Sequence, residues 1–128
     1  MNLRSERAAT LIEFALTLPI LLMLMFGMIE FGRILNAQIM VTSAAREGAR
    51  LAALGVNAGQ VEAHVRDSCA SLAGDALVIE ITNAGGSSGS PVAVRVGYPV
   101  EIVVPLMEDI LGEEDAFMVE HEVTMRLE

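Results

Sequence analysis

AATLIEFALTLPILLMLMFGMI, residues Ala8 to Ile29, is 22 residues long and carries one charge, Glu13. At about 1.5 Å of rise per residue a helix of this length spans roughly 33 Å, against ~30 Å for the hydrocarbon core of a bilayer. The reading is a membrane-spanning helix. Its eleven Leu, Ile and Phe side chains each favour insertion by about 0.3–0.6 kcal/mol, and one acid costs at most about 3.5 kcal/mol at the bilayer centre. The helix therefore inserts despite Glu13. An ionisable group inside a span marks a functional position that needs a partner.

Outward from the span, the composition limits what remains. The chain has 128 residues, so one small domain fits beyond the anchor. Net charge is −9, and past Arg33 there are 14 acids against five arginines. A domain of that sign repels phosphate backbones, so nucleic acid is not the expected partner. Cys69 is the single cysteine, which excludes an intrachain disulfide and points to a buried small hydrophobe.

Before the span, MNLRSER carries Arg4 and Arg7 with one acid, Glu6. By the positive-inside rule this end stays cytoplasmic and the C-terminal domain is exported. After it, EFGRILNAQ (30–38) has no A-x-A cleavage pattern and the apolar run is too long for a signal peptide, so the anchor is expected to stay. Pro19 removes one backbone donor, and a kink or local loosening is expected near it.

Ala8-Ala9-Thr10-Leu11-Ile12-Glu13-Phe14 resembles the prepilin-peptidase site of type IV pilin-like proteins, in which a small residue precedes the cut and a glutamate stands fifth after it. Laid on that pattern, Ala8 ends an eight-residue leader and Ala9 becomes the new N-terminus. Ala8 stands where Gly is the commoner residue. Cutting there creates an α-amino group, ordinarily titrating near ~8, about one helical turn before Glu13. The resemblance implies that Glu13 pairs with the amine of a neighbouring subunit as helices gather.

The helix is expected to continue past the bilayer to about Leu54, with Ile34, Leu35, Ile39, Met40 and Val41 as its apolar stripe and Gly55 at the C′ position. Within it, VTSAAREGARLAALG (41–55) places Ala44, Gly48 and Ala52, and likewise Ala45, Ala49 and Ala53, at four-residue spacing. These are two small-residue ridges on which another element packs closely, either the protein's own sheet or a neighbouring subunit. A pilin-like N-terminus together with REGARLAA resembles the TadE-like family of the Tad (tight adherence) pilus apparatus. The resemblance covers about residues 1–55. It implies a minor pseudopilin acting structurally, with a prepilin peptidase, other pilins or pseudopilins and an inner-membrane assembly platform as partners.

Asn57 and Gln60 form a capping-box arrangement for a second helix, with Val61, Val65 and Leu72 as its apolar face, His64 beside that face and Gly74 as its stop. The period then changes to two. LVIEIT (77–82), VAVRVGYPVEIVV (92–104) and FMVEHEVTMRL (117–127) alternate apolar and polar residues and read as three antiparallel strands with one face on the helix. Pro99 puts the second strand at an edge or bends it. NAGGSSGSP (83–91) is a flexible hairpin loop, and His121 on the apolar face suggests a bulge. Glu108, Asp109, Glu113, Glu114 and Asp115 lie in a solvated loop without the D-x-D-x-D spacing of a calcium site.

The expected fold is thus α+β: a long N-terminal transmembrane helix extending into a pilin-like domain, a short second helix and a small three-stranded antiparallel sheet. The division is a leader at 1–8, a transmembrane part at 9–30, an exported continuation at 31–55 and a globular α+β domain at 56–128. No catalytic set, phosphate-cradling loop or metal-ligand spacing is found, so neither enzymatic activity nor a cofactor is expected. The competing reading is a singly anchored envelope module that recruits another envelope component and is not built into a filament.

Overall fold

The first helix, α1, runs unbroken from Leu3 to Ala53 and passes through Pro19. It ends where Gly55 takes φ +81°. There the Val56 N–H donates to Leu51 O at 3.2 Å and the Gly55 N–H to Ala52 O at 3.1 Å. These are the paired bonds of a Schellman motif, which use carbonyls that the helix end leaves without partners. Fifty-one residues make a rod about 76 Å long. The computed structural model describes residues 3–72, 74–103 and 116–128.

A second helix, α2, covers Ala58–Ser68. Asn57 caps it: the Gln60 backbone N–H donates to Asn57 Oδ1 at 3.0 Å, and Asn57 Nδ2 donates to Gln60 Oε1 at 2.9 Å. The expected stop at Gly74 is six residues too late, because Cys69 leaves the helical conformation at φ −104°, ψ 20°. The Leu72 N–H then turns back to Cys69 O at 2.9 Å. Gly74 instead begins a short 3-10 turn, Gly74–Ala76.

Three strands follow, β1 (Val78–Thr82), β2 (Pro91–Glu101) and β3 (Ala116–Arg126), in the order β1-β2-β3 with both pairings antiparallel. The fold is α+β, with the sheet laid on the upper half of α1. The β2–β3 register is unbroken from Pro91 opposite Arg126 to Glu101 opposite Ala116. The bulge suggested by His121 is absent; His121 keeps its place opposite Val96. Pro99 is tolerated in a central strand because β1 pairs only as far as Gly97. Beyond that point β2 has β3 as its sole ladder partner among the described residues.

The hairpin loop is more closely tied down than its Gly and Ser content suggests. Asn83, Gly85 and Gly89 adopt positive φ, the conformation that glycine and asparagine tolerate best. The Gly89 N–H donates to Leu127 O at 2.8 Å, and the Leu127 N–H returns a bond to Ser90 O at 3.0 Å. The Glu128 N–H then donates to Ala53 O at 3.0 Å. The C-terminal segment thereby closes the hairpin onto the top of α1.

The core lies where α1, α2 and the inner sheet face meet. Ala37, Val41, Ala44, Ala45, Ala49 and Ala52 of α1 are buried against Val61 and Val65 of α2 and Val92, Val94 and Val96 of β2. Two elements close on the same stretch of helix, so its side chains must be small. The expected apolar stripe is partly displaced: Ile34 joins the core, but Leu35 and Ile39 are exposed. Cys69 is fully buried, its Sγ 4.0 Å from Met40 O, and burial pushes its thiol pKa up.

Candidate functional site

Among the described residues, nothing else in the chain covers the lower half of α1. Leu11, Ile12, Phe14, Leu16, Ile20, Leu21 and Leu24 are all at least 60% exposed, and the helix is long and apolar enough to cross a membrane. In water this surface would be a large uncompensated apolar area. A lipid environment removes the cost, since the helix satisfies its own backbone polar groups.

Ala8, Ala9 and Glu13 are exposed on this rod. Glu13 stands four positions after Ala9, about 6 Å along the axis, so they lie on one face. The backbone oxygen of Glu13 accepts a bond from Thr17 Oγ1 at 2.8 Å. Its carboxylate has no partner among the described residues.

Of the two uses open to the small-residue ridges, the structure takes the internal one. Ala44, Ala45, Ala49 and Ala52 are at most 1% exposed, against the chain's own sheet and second helix. A Cβ on Gly48 would stand 2.6 Å from Val65 Cγ2, 3.2 Å from Val94 Cγ1 and 3.6 Å from Val61 Cγ1. Gly48 therefore sits where α2 and β2 both close on α1, and its hydrogen is what permits the approach.

One charged group is buried where none is expected. Glu30 is only 4% exposed, directly after the apolar stretch, and Arg33 Nη1 donates to both of its oxygens at 3.0 and 3.1 Å. The same nitrogen reaches Glu101 O at 3.3 Å. Arg33 thus joins the top of the apolar stretch to the end of β2. Charge balance at Glu30–Arg33 was visible from sequence, but the third partner is 68 residues away and left no local trace.

Higher on α1, Arg50 Nη2 stands 2.7 Å from Glu47 Oε1, with His64 Nε2 at 4.0 Å. The hydrogen bond from Arg50 is the main reason the Glu47 carboxyl lies below its usual range, with the nearby charges of Arg50 and His64 adding to it. The same bond raises the Arg50 guanidinium. His64 is exposed rather than tucked beside the apolar face, because α2 turns it toward Glu47. Across the outer sheet face, Arg95 lies between Glu80 at 3.9 Å and Glu122 at 3.2 Å, as the strand register requires.

Among the described residues no group of His, Cys, Asp and Glu is arranged to hold a metal. A shallow groove beside α1, lined by residues that include Ile39, Thr42, Arg46 and Met125, is open to solvent. The acidic run at Glu108, Asp109, Glu113, Glu114 and Asp115 lies outside the described residues, as does Val104.

The family model described as TadE-like protein matches residues 8–50. The match begins at the expected cleavage alanine and ends within the buried small-residue stretch. It covers the rod and stops short of α2 and the sheet. No curated protein and no solved structure matches the chain.

Proposed function

We propose that this chain, TadE-like over residues 8–50 and so associated with the Tad pilus, is a minor pseudopilin processed by a prepilin peptidase and acting structurally in pilus assembly. The observation that carries this reading is Glu13: a carboxylate on an exposed apolar helix, unpartnered among the described residues and one turn from the Ala8–Ala9 peptide.

An isolated carboxylate in lipid is costly, and a cation brought to it recovers part of that cost. Cleavage after Ala8 supplies such a cation at Ala9. The amine of one subunit and Glu13 of the next then neutralise each other as rods pack side by side. The cut lies in the second turn of α1, where unwinding disturbs no tertiary contact among the described residues. The N-terminus is cytoplasmic and the domain exported from the inner membrane. Its partners are the peptidase, other pilins or pseudopilins and the inner-membrane assembly platform. The chain itself performs no catalysis.

Intact-mass and N-terminal analysis of protein from its native host tests the proposal. The expected mature chain begins at Ala9. A chain beginning at Met1 or Asn2 would overturn it in favour of a tethered envelope module. Glu13→Ala is expected to insert normally and to fail in assembly; wild-type piliation in that variant would remove the charge pairing.

A further inference from the structure

Above the apolar stretch α1 has two faces. One turns Val41, Ala45, Gly48 and Ala52 into the core; opposite them Ile39, Ser43, Arg46 and Arg50 are exposed, spaced three and four apart and so aligned in one stripe. Glu47 takes Arg50, whereas Arg46 has no hydrogen-bond or ion-pair partner among the described residues. The sheet meets α1 with its inner side, so its outer side points away from this stripe. That outer side carries Glu80, Glu101, Glu120 and Glu122 against Arg95 and Arg126. The two outward surfaces of the domain thus differ in sign, the helix stripe positive and the sheet negative.

Their heights above the membrane also agree. A Cβ on Gly48 would stand 3.2 Å from Val94 Cγ1, so Gly48 and Val94 are level. Toward the membrane, Arg46 is two residues below Gly48, about 3 Å on a helix, and Arg95 is one residue below Val94, about 3.3 Å on a strand. Arg46 is therefore level with the row in which Arg95 lies between Glu80 and Glu122, two carboxylates sharing one guanidinium. Gly97 is about 10 Å below Val94, between Ser43 at about 8 Å and Ile39 at about 13 Å below Gly48. Gly97 is the outer-face position without a side chain, bordered by the half-exposed Val78.

Copies anchored in one bilayer stand at one height, so these levels meet when two domains come side by side. We propose that a second copy of this chain lays its outer sheet face on the Ile39–Arg50 stripe of α1. Arg46 gives the Glu80–Glu122 row its second cation, and the hollow at Gly97 receives Ile39 and Ser43. The copies use different surfaces, so the contact is heterologous and repeats from copy to copy in a row. It rests on the reading of α1 as a membrane anchor, and it gives the pseudopilin reading a like neighbour.

Cys69 is the single cysteine, so Cys69→Ala supplies a cysteine-free full-length background. Ser43→Cys and Gly97→Cys would be introduced singly and together, in the native host in place of the wild-type chain, and the membranes oxidised with copper phenanthroline. A Cβ at Gly97 meets its neighbours at 3.7–3.8 Å, ordinary contact, and circular dichroism of purified protein in micelles checks each fold. The helix and the sheet separate the two positions, so a disulfide between them joins two chains. Each single variant should stay monomeric, and the double variant should give a ladder of dimers, trimers and larger species. Adding Arg46→Glu should cut the cross-linked fraction at least about five-fold, while Arg46→Lys should retain it. Dimers from Ser43→Cys alone would mean a two-fold symmetric contact and overturn the proposal. So would a double variant that stays monomeric, an undiminished ladder with Arg46→Glu, or an equal ladder when Ser68→Cys on α2 replaces Ser43→Cys. Alkaline carbonate extraction of the same membranes separates the causes: release of the chain fails the anchor reading first, and retention without a ladder fails this contact alone. A ladder from chains that still begin at Met1 would keep the contact and overturn the processing.

Discussion

Residues 8–29 and 30–53 belong to one helix, yet the two halves carry opposite kinds of surface. The lower half bears Leu, Ile, Phe and Met, and nearly all of it is exposed. The upper half bears Ala and Gly on one face, and that face is buried to within a few per cent. Large side chains suit a helix whose neighbour is fluid lipid, whereas small ones suit a helix that must admit a sheet and a second helix at fixed distances. The upper half also carries five charged side chains against one in the lower, but on the faces that pack it is side-chain volume that separates the two halves.

The sharpest way to break that comparison is to place the same side chain in both halves. Gly48→Leu forces atoms into a site where even a Cβ stands 2.6 Å from Val65 Cγ2. It should destabilise the domain by at least about 3 kcal/mol. Gly27→Leu meets nothing within 4 Å and should leave the domain within about 0.5 kcal/mol of wild type. Denaturant unfolding of the full chain in detergent micelles, followed by circular dichroism, measures both. Equal effects would mean that the two halves do not differ in packing as described.

A smaller effect is expected where the halves join. Arg33→Ala leaves the buried Glu30 carboxylate without its donor and frees the β2 end at Glu101. The expected loss is about 1–3 kcal/mol, measured by the same unfolding assay. Glu30→Gln, which removes the charge while keeping a polar group of similar size, should cost less. If Glu30→Gln proved the more damaging, the pair would not be acting as a clasp.

Beyond the helix, the Asn57 cap serves only the upper domain. Asn57→Ala should cost about 1 kcal/mol in the same assay, with no change in membrane insertion. A negligible loss would show that α2 is held by Val61 and Val65 alone.

What could be read in advance follows from how local each cause is. The stop at Gly55 and the cap at Asn57 depend on a few neighbouring residues, so both were legible. The strand faces follow from a period of two, and Leu77, Ile79 and Ile81 do pack on the core. Leu35 and Ile39 misled because an apolar residue on a helix does not announce which side its partners will cover. The end of α2 was misplaced because Gly74 is a stronger stop signal than Cys69, while burial of Cys69 against α1 decides the matter. Glu30 and Arg33 are close enough in sequence to balance in solvent, so nothing local marks Glu30 as buried; the clasp that holds it needs Arg33 to reach Glu101 across the fold. The ridges at Ala44, Gly48 and Ala52 were plain as a pattern but silent about their partner, since an internal sheet and an external helix ask the same of them.

The weakest test concerns the exposed face of the upper half, where Glu47 meets Arg50 and His64. The Glu47 carboxyl lies below its usual range chiefly because Arg50 donates to it, so the folded chain binds this proton less readily than the unfolded chain. The resulting stability is fully present above the ordinary glutamate value of about 4.3 and is lost as pH falls through the lower folded value. Glu47→Gln removes that linkage. The melting temperature of wild type should exceed that of the variant slightly near pH 7, and the two should converge in acid. Because the pair is solvent-exposed, added salt should shrink the difference at neutral pH. A difference that persists unchanged in acid would mean that Glu47 contributes through packing rather than charge.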